Sequence, residues 1–578
     1  MTYRVLIPSA AAAVALILSA CGEGSGNAPL TCSTVSTATL GIPGLNISST
    51  KDVAARTDST DPSANYPAHC QLQGNIAPRT GSDGKHYAIG FELRLPNSWN
   101  GKFFFQGGGG TDGAVNPALG SLTGDGRSSN ALSLGYSVVS TDGGHTSEAV
   151  PAFTGSALFG LDPQARIDYG YNAVGSLTPL AKQIVASYYA APVQRSYFVG
   201  CSNGGRQAMV AASRFGDQFD GIIAGDPGFN LPKAAVAEAW DTQQFVAVSG
   251  NPLAMNTAFS IADMKLVGQR ILAKCDALDG ASDGMVSDIS ACQAAFNLAT
   301  DVPTCTGAAN GTCLTATQKT ALQKIMDGPK NGAGQQLYSS WPWDPGIAAS
   351  AIGFESWRAW KLENPFLGGL SINVALGGPA LPYIFTTPPT DIGLGVNPAD
   401  TGTIIGNIYG YMLGFNFDTD APKIFATNSK YTESAMSFMT PPNPTSLSAF
   451  KSRGKLMVYH GGGDPVFSAN DTIRWYNELS AANTNASDFA RLFLVPGMGH
   501  CGGGVATDQF DMFSSLVQWV ESATPPDSVI ASARGGANTD VPASWSPTRS
   551  RPLCAYPKRA VLKPGATDLE TAASFICQ

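Results

Sequence analysis

Residues 195–215 decide the fold, and they read RSYFVGCSNGGRQAMVAASRF. The apolar run from Arg195 to Gly200 predicts a short buried strand, and the stretch from Asn203 to Phe215 predicts a helix with alanines among its packing residues. Between them, Ser202 occupies the turn of a Gly-x-Ser-x-Gly motif. A strand, a sharp turn at serine and a helix form a nucleophile elbow, which exposes the serine hydroxyl at the end of a sheet.

The chain on both sides of this segment repeats the alternation of strands and helices. A helix is predicted from Ile167 to Tyr189, and short apolar runs predict strands at Lys102–Gln106, Tyr136–Ser140, Phe219–Ala224, Lys455–His460 and Ala490–Val495. Buried strands that alternate with helices are typical of a mainly parallel sheet. Together with the elbow, this pattern predicts an α/β-hydrolase fold.

The segment between residues 230 and 445 has a different composition. It is rich in Pro, Gly, Asn and Thr, contains four cysteines, and carries predicted helices at Ala258–Lys274 and Thr315–Met326. A chain of 578 residues is also too long for one compact core. We therefore predict a catalytic domain formed by residues 31–229 and 446–578, with residues 230–445 inserted into it as a lid domain.

The composition narrows the class of partner. Hydrophobic residues make up 43% of the chain and charged residues 13%, which is typical of a globular protein. The formal net charge is −8 and the sequence contains no basic stripe. These features exclude a nucleic-acid-binding protein and favour a small-molecule substrate.

The N-terminus predicts export. Arg4 precedes an apolar stretch from Val5 to Leu18, which is too short for a comfortable membrane span, and Leu-Ser-Ala-Cys ending at Cys21 resembles a bacterial lipobox. We predict a lipoprotein-type signal over residues 1–21 with lipidation of Cys21, followed by a tether over residues 22–30. The alternative is an ordinary secretory signal. The expected location is the outer membrane, the periplasm or the exterior, with membrane contact only through the anchor.

The cysteine count supports export. The chain has eleven cysteines, and ten remain once Cys21 is assigned to lipidation. An even set of ten suits five disulfides in an oxidising compartment. Sequence does not fix the connectivity, but proximity along the chain and to the candidate site suggests Cys32–Cys70, Cys201–Cys501, Cys275–Cys292, Cys305–Cys313 and Cys554–Cys577.

A base and an acid can be assigned to Ser202 from chain order. In α/β-hydrolases the nucleophile, acid and histidine follow one another in that order, and of the five histidines only His460 and His500 follow Ser202. Asp464 follows a predicted strand and precedes His500. A neutral imidazole can take the serine proton, and a carboxylate can orient the imidazole. Ser202, Asp464 and His500 are therefore the predicted catalytic set.

Two further roles follow from the same fold. The backbone N–H of Asn203, directly after the nucleophile, is one expected oxyanion donor, and Gly110 in the glycine run after an early strand is the other. His460, at the end of a predicted strand, is either a substrate-binding residue of the pocket or a buried histidine.

A metal site is predicted in the stretch from Cys275 to Asp288, which contains four aspartates within 13 residues. Calcium prefers carboxylate and carbonyl oxygens on a glycine-bent loop, although this spacing is not that of an EF-hand. The alternative is a solvated Asp/Gly turn closed by a disulfide. No Cys-x-x-Cys or histidine pair suggests zinc.

The cysteines beside Ser202 and His500 complete a family pattern. Cys201-Ser202, Asp464 and His500-Cys501 resemble the CS–D–HC arrangement of the tannase/feruloyl esterase family. The resemblance extends over nearly the whole mature chain, and within the family it is strongest to enzymes that hydrolyse mono(2-hydroxyethyl) terephthalate. It is carried by GLDPQAR (160–166), DALDG (276–280), FARLFLVPGM (489–498) and RPLC (551–554).

The resemblance implies a serine carboxylesterase that hydrolyses aromatic acid esters through an acyl-enzyme, without an organic cofactor. Its implied reaction converts mono(2-hydroxyethyl) terephthalate to terephthalate and ethylene glycol, and plant feruloyl or tannin esters are the alternative substrates. It implies Leu231, Trp360 and Phe385 as substrate-binding residues. It also implies structural calcium, bound by the side chains or carbonyls of Asp276, Asp279, Ala281, Asp283, Met285 and Ser287.

One feature departs from the family. The enzymes that act on the terephthalate monoester hold the substrate's free carboxylate with a lid arginine, but the matching stretch from Leu362 to Tyr383 contains none. Lys361 and Arg358 are the nearby basic residues, and lysine lacks the bidentate geometry of arginine. A calcium-stabilised binding lipoprotein without activity and a peptidase on the same fold are rival functions.

Overall fold

A computed structural model of the chain describes residues 29–59, 61–124, 129–147, 155–397 and 400–578. The predicted signal segment, the lipidation site Cys21 and residues 22–28 of the predicted tether lie outside the described residues.

Nine strands form the central sheet, in the order β1-β2-β3-β5-β4-β6-β7-β8-β9, and five short strands form two small sheets near the C-terminus. The strands are β1 (Leu45–Val53), β2 (His69–Thr80), β3 (His86–Pro96), β4 (Lys102–Gln106), β5 (Ser137–Thr141), β6 (Arg195–Cys201), β7 (Gly221–Gly225), β8 (Lys455–Gly461), β9 (Ala490–Val495), β10 (Gln509–Phe510), β11 (Ser528–Ser532), β12 (Ser550–Cys554), β13 (Ala560–Leu562) and β14 (Phe575–Cys577).

The sheet is parallel from β5 through β9 and antiparallel across β1, β2 and β3. The predicted parallel strands are present, with ends that differ by one or two residues at β5 and β7. The antiparallel extension was not predicted. Its strands are long hairpin strands with partly exposed faces, and they carry a weaker apolar signal than the buried runs.

The described residues also form helices on both sides of the sheet and throughout the segment 230–445. They are α1 (Thr37–Leu40), α2 (Pro163–Ile167), α3 (Ala173–Tyr189), α4 (Asn203–Arg214), α5 (Leu231–Ser249), α6 (Ile261–Cys275), α7 (Ile289–Ala295), α8 (Leu298–Asp301), α9 (Ala316–Asp327), α10 (Trp357–Lys361), α11 (Ile372–Ala380), α12 (Thr401–Gly414), α13 (Ala435–Met439), α14 (Ser448–Lys451), α15 (Ala469–Ala482) and α16 (Met512–Ser522).

Both faces of the parallel sheet are buried. Successive side chains of a strand point to opposite faces, so one strand contributes to two cores. In β4, Phe103 and Phe105 pack in the core on the side of α3, while Phe104 packs on the side of α16. Helices α5 to α13 all fall within residues 230–445 and share a third core. The arrangement is an α/β-hydrolase fold with an inserted helical lid domain, as the sequence predicts.

Five disulfides form, and they are the five pairs suggested by the sequence. The bridge between Cys201 and Cys501 joins residues 300 positions apart, while the others close much shorter loops. In the described parts of the chain, no single helix is long and apolar enough to cross a membrane. One bent pair of lid segments, Trp357–Leu367 and Ile372–Phe385, passes that test only when the two are taken together.

Candidate active site

His500 lies between Ser202 and Asp464 in one hydrogen-bonded line. Its Nε2 is 2.8 Å from the Ser202 hydroxyl oxygen, and its Nδ1 is 2.9 Å from Asp464 Oδ2. Ser202 follows β6, Asp464 follows β8 and His500 follows β9. Because the carboxyl ends of parallel strands meet at one edge of the sheet, residues far apart in sequence are brought together there.

The elbow depends on close contact between backbones. Ser202 has φ 65° and ψ −125°, a strained conformation for a residue other than glycine. A Cβ atom on Gly204 would lie 2.6 Å from the carbonyl oxygen of Gly108, and one on Gly200 would lie 2.6 Å from the carbonyl group of Gly204. The glycines on both sides of the serine therefore allow β6, α4 and the loop after β4 to meet.

The acid is held by backbone groups as well as by His500. Asp464 Oδ1 accepts hydrogen bonds from the backbone N–H groups of Val466, at 2.8 Å, and Phe467, at 3.1 Å. Burial raises the pKa of Asp464, but the adjacent His500 and the contact with His460 outweigh it and hold the pKa below its ordinary value. Asp464 is therefore ionised at neutral pH.

His460 lies behind the acid and does not line the pocket, so its assignment as a substrate-binding residue is wrong. Its ring is fully buried, with Nδ1 2.9 Å from Thr472 Oγ1 and Nε2 3.0 Å from the carbonyl oxygen of Phe467. Its Nε2 is also 3.5 Å from Asp464 Oδ2 and 3.8 Å from Asp226 Oδ1. The strand end turns this ring into the core, where it pairs with two carboxylates.

His460 and the carboxylates of Asp226 and Asp464 shift one another's pKa values. Burial alone would lower the pKa of His460, but the contact with Asp464 and the charge of Asp226 raise it above the ordinary value. Burial raises the pKa of Asp226 to about 6, against the effect of His460. Sequence reasoning missed Asp226, which follows β7 and carries no motif signal.

Asp226 also connects the disulfide to the acid. Its Oδ2 accepts a hydrogen bond from the backbone N–H of Cys501, at 2.9 Å, and its Oδ1 accepts one from Gly461, at 2.7 Å. The Cys201–Cys501 bridge then ties the residue before the nucleophile to the residue after the base. Two links at Cys501, the hydrogen bond to Asp226 and the disulfide to Cys201, therefore fix the loop that carries His500.

A buried polar cluster supports the predicted oxyanion loop. Asp112 accepts hydrogen bonds from the side-chain amides of Asn203, at 2.7 Å, and Gln207, at 2.8 Å. The Gln207 carbonyl in turn accepts from the backbone N–H of Gly108, at 2.9 Å. The Tyr169 hydroxyl donates to the carbonyl of Gly110, at 3.0 Å. The backbone around Gly110 and Asn203 is thus held beside Ser202, and both residues line the pocket.

A narrow apolar pocket opens at Ser202 and contains about 440 Å³ of empty space, part of it open to solvent. Leu231, Trp360 and Phe385 line it, as the resemblance implied. Trp360 meets the His500 ring edge-on at 4.7 Å between ring centres, so the lid contacts His500 directly. Sequence reasoning missed the other lining residues, which include Tyr169, Ala235, Glu238, Leu376, Gly377, Ala380, Val466 and Phe467.

The two basic residues near the lid do not reach this pocket. Lys361 is buried and pairs with Asp241 while its ammonium group lies over the Trp341 ring. Arg358 forms two hydrogen bonds with Glu363, at 2.7 and 2.9 Å, and others with backbone carbonyls. Among the described residues that line the pocket, none is a lysine or an arginine.

The predicted calcium loop is folded around its own aspartates. Asp276 accepts from the backbone N–H groups of residues 283 and 284, and Asp279 accepts from those of residues 281 and 287. Burial and the nearby Asp283 raise the pKa of Asp279 to about 6. Asp283 pairs with Arg551 at 2.5 Å.

A metal site needs several ligand atoms close together. Among the described residues, the carboxylates of this loop do not belong to any cluster of three or more His, Cys, Asp or Glu residues whose ligand atoms all lie within 4.8 Å of one another. Two such clusters exist among the described residues. One contains Asp226 and the two cysteines of the Cys201–Cys501 disulfide, and the other contains Asp226, His460 and Asp464, which already pair with one another. The loop therefore offers calcium the right type of oxygen and uncompensated charge on Asp276 and Asp279, but not a closed shell of ligands.

Comparison of the chain with known proteins identifies its family. A family model described as tannase and feruloyl esterase matches residues 70–578. The chain belongs to the tannase and feruloyl esterase family. It is 41% identical over 555 residues to a mono(2-hydroxyethyl) terephthalate hydrolase of Piscinibacter sakaiensis, covering 92% of this chain and 89% of the relative.

Two further proteins are similar to this chain. A probable feruloyl esterase of Arthroderma benhamiae is 30% identical over 506 residues, covering 84% of this chain and 81% of the relative. The crystal structure of feruloyl esterase B from Aspergillus oryzae matches with a TM-score of 0.67 at 22% identity, covering 94% of this chain and 98% of that one. The similarity to the crystal structure supports the fold. The similarity to the terephthalate monoester hydrolase and to the probable feruloyl esterase connects the chain to carboxylic ester hydrolases.

Proposed function

We propose that this protein is a serine esterase that hydrolyses esters of aromatic acids through an acyl-enzyme. The observation that carries the proposal is His500, which lies within hydrogen-bond distance of both Ser202 and Asp464 at the mouth of an aromatic pocket. A hydroxyl, an imidazole and a buried carboxylate in this order are the parts that acyl transfer needs.

In the proposed reaction, Ser202 Oγ attacks the ester carbonyl carbon while His500 Nε2 takes its proton. The N–H groups of Asn203 and Gly110 stabilise the negative charge on the carbonyl oxygen. His500 then gives its proton to the departing alcohol, and the acyl group remains on the serine. A water molecule, deprotonated by the same imidazole, releases the acid. Asp464 keeps Nδ1 protonated and stabilises the imidazolium.

The proposed substrate is mono(2-hydroxyethyl) terephthalate, cleaved to terephthalate and ethylene glycol, and the 41% identity to an enzyme of that name supports it. The narrow pocket between Trp360, Leu231 and Phe385 suits one planar ring. Esters of plant phenolic acids are the second candidate, because a probable feruloyl esterase is also a relative and because the lining carries no arginine or lysine for a free carboxylate.

The experiment is the kcat/KM of the purified protein on mono(2-hydroxyethyl) terephthalate and on methyl ferulate. Ser202→Ala should abolish turnover of both esters, whereas Ser48→Ala, a matched change on the exposed strand β1, should leave it unchanged. Unchanged turnover in Ser202→Ala would contradict the proposal, because another group would then carry the hydrolysis. Absent turnover in the wild type would contradict it too and would favour a binding protein. Faster cleavage of an anilide than of the matching ester would favour a peptidase.

We also propose that the loop around Asp276 and Asp279 binds a structural calcium ion. The buried carboxylate of Asp279, the half-buried one of Asp276 and the glycine-bent backbone support this role. Ala281, Asp283, Met285 and Ser287 would supply further oxygens. Bound calcium would neutralise the loop and take no part in the chemistry. Adding a chelator should lower the melting temperature, and calcium but not magnesium should restore it. An unchanged melting temperature would overturn the assignment.

Export is part of the same proposal. Five disulfides support an oxidising compartment, and the predicted lipobox at Cys21 supports a lipid anchor. Mass spectrometry of the mature N-terminus from a bacterial host would distinguish a diacylated Cys21 from an ordinary cleaved signal.

A further inference from the structure

Glu238 is an acidic side chain at the inner end of an otherwise apolar pocket. Leu231, Ala235 and Glu238 line the pocket from one face of α5, at spacings of four and three residues. Along a helix, seven residues correspond to about 10 Å. Leu231 lies beside Ser202 at the start of this helix, so Glu238 faces the part of the acyl group that is far from the ester.

The carboxyl group of Glu238 has no hydrogen-bond or ion-pair partner within the part of the chain that the structure describes. The residue is 6% exposed, and its side chain makes no hydrogen bond to any of the described residues. The opposite wall makes room for it, because a Cβ atom on Gly377 of α11 would lie 1.5 Å from Glu238 Oε2. A buried polar group without a partner costs free energy unless a ligand satisfies it. The carboxyl group is thus placed to meet a polar atom of the substrate.

The nearest charged groups do not neutralise Glu238 directly. Lys361 of α10 forms its ion pair with Asp241, one turn further along α5, and residues 372–380 of α11 include no ionisable side chain. Burial raises the pKa of Glu238 to about 8, with Lys361 lowering it and Asp241 raising it. At neutral pH the group is therefore an uncharged acid that can donate a hydrogen bond.

We propose that Glu238 is a specificity-determining residue that binds the polar substituent at the far end of the aromatic acyl group through a hydrogen bond from its own carboxyl proton. This inference rests on the proposed esterase function and explains how the pocket accepts a free carboxylate without a basic residue. The protonated side chain donates to the carboxylate oxygen of a terephthalate monoester. The ionised form of Glu238 repels the substrate carboxylate. A phenolic hydroxyl of a different substrate can instead donate a hydrogen bond to the ionised Glu238.

The sign of the pH effect follows from this difference. Above the pKa of Glu238 the carboxylate substrate loses its donor and meets a like charge, while the phenolic ester keeps a hydrogen bond. The same catalytic groups act on both esters, so their own pH dependence cancels in the ratio. The kcat/KM for mono(2-hydroxyethyl) terephthalate divided by that for methyl ferulate should therefore fall about tenfold between pH 7 and pH 9, as one proton is lost.

The test measures this ratio from pH 6 to pH 9 for the wild type, Glu238→Gln and Glu238→Leu. Glutamine keeps the shape and a donor but does not ionise, so its ratio should be flat. Leucine removes the donor, so its ratio should be low at every pH. A flat ratio in the wild type, or the same slope in Glu238→Gln, overturns the inference while leaving the esterase function intact.

A binding measurement separates the inference from catalysis. Ser202→Ala should bind terephthalate about tenfold more weakly at pH 9 than at pH 7, by calorimetry, even if the chain has no esterase activity. Equal affinity at both values would overturn the role of Glu238. Gly377→Ala gives a second variant, because its methyl group must displace the carboxyl group and should weaken terephthalate binding at pH 7.

Discussion

Replacing His460 by glutamine removes a buried imidazole, whose pKa the neighbouring carboxylates raise, from between Asp226 and Asp464. The ring nitrogen lies 3.5 Å from Asp464 Oδ2 and 3.8 Å from Asp226 Oδ1, and all three side chains are shielded from solvent. Glutamine can keep one polar contact with Thr472 or with the carbonyl of Phe467, but it carries no charge. Asp226 and Asp464 would then face each other without an intervening cation.

Two estimates indicate how much free energy of unfolding the substitution removes. At an effective dielectric constant of about 20, a unit charge pair at this separation is worth about 5 kcal/mol, and the desolvation of the imidazolium offsets part of that. Removing one member of a buried ion pair costs roughly 3 to 5 kcal/mol in measured systems. We expect His460→Gln to lower the free energy of unfolding by an amount in this range at pH 7, and to lower kcat because Asp464 loses a supporting charge.

The pH dependence has a defined sign. Since the folded-state pKa of His460 lies above its ordinary value of 6.5, its stabilising charge is complete below pH 6.5 and is lost as the pH rises through the folded-state value. The coupling between His460 and Asp226 should therefore be larger at pH 6.5 than at pH 9.

A double-mutant cycle measures that coupling. Guanidinium unfolding of the wild type, His460→Gln, Asp226→Asn and the double variant, without reductant, gives the interaction free energy at each pH. His86→Gln, in which an exposed histidine changes, is the matched control. The reasoning fails if His460→Gln costs no more than this control, or if the coupling is absent at pH 6.5.

Three further predictions concern the same site. Replacing both Cys201 and Cys501 by alanine should lower the free energy of unfolding by about 5 kcal/mol, since the bridge spans 300 residues; a cost equal to that of opening the disulfide that spans 8 would contradict this loop-length argument. Gly204→Ala should cut kcat/KM at least tenfold, because its Cβ would lie 2.6 Å from the carbonyl of Gly108; wild-type kinetics would show that the elbow tolerates the shift. Asp464→Asn should lower kcat about 10⁴-fold at unchanged folding, judged by melting temperature, and a loss below tenfold would remove this residue from the acid role.

The sequence was most informative where one short segment contains a whole structural unit. The elbow around Ser202, the buried strands beside it and the helix after it are each specified by local apolar spacing and glycine placement. The order of Ser202, Asp464 and His500 also follows from the fold class, and the cysteines beside two of them indicated their proximity. The antiparallel strands β1 to β3 escaped prediction, because half-exposed strands have weaker apolar periodicity and their pairing is not a local property.

The sequence by itself determined the α/β-hydrolase fold and which residues stand at the ends of the parallel strands. Only the tertiary structure decided that His460 turns away from the pocket to join Asp226 and that Lys361 pairs with Asp241. It also decided that Glu238 faces the pocket, where none of the described residues pairs with its carboxyl group. The physical reason is that a charge takes its role from the groups within a few ångströms of it. Those groups come from helices and strands that only the packing of the lid against the sheet brings together.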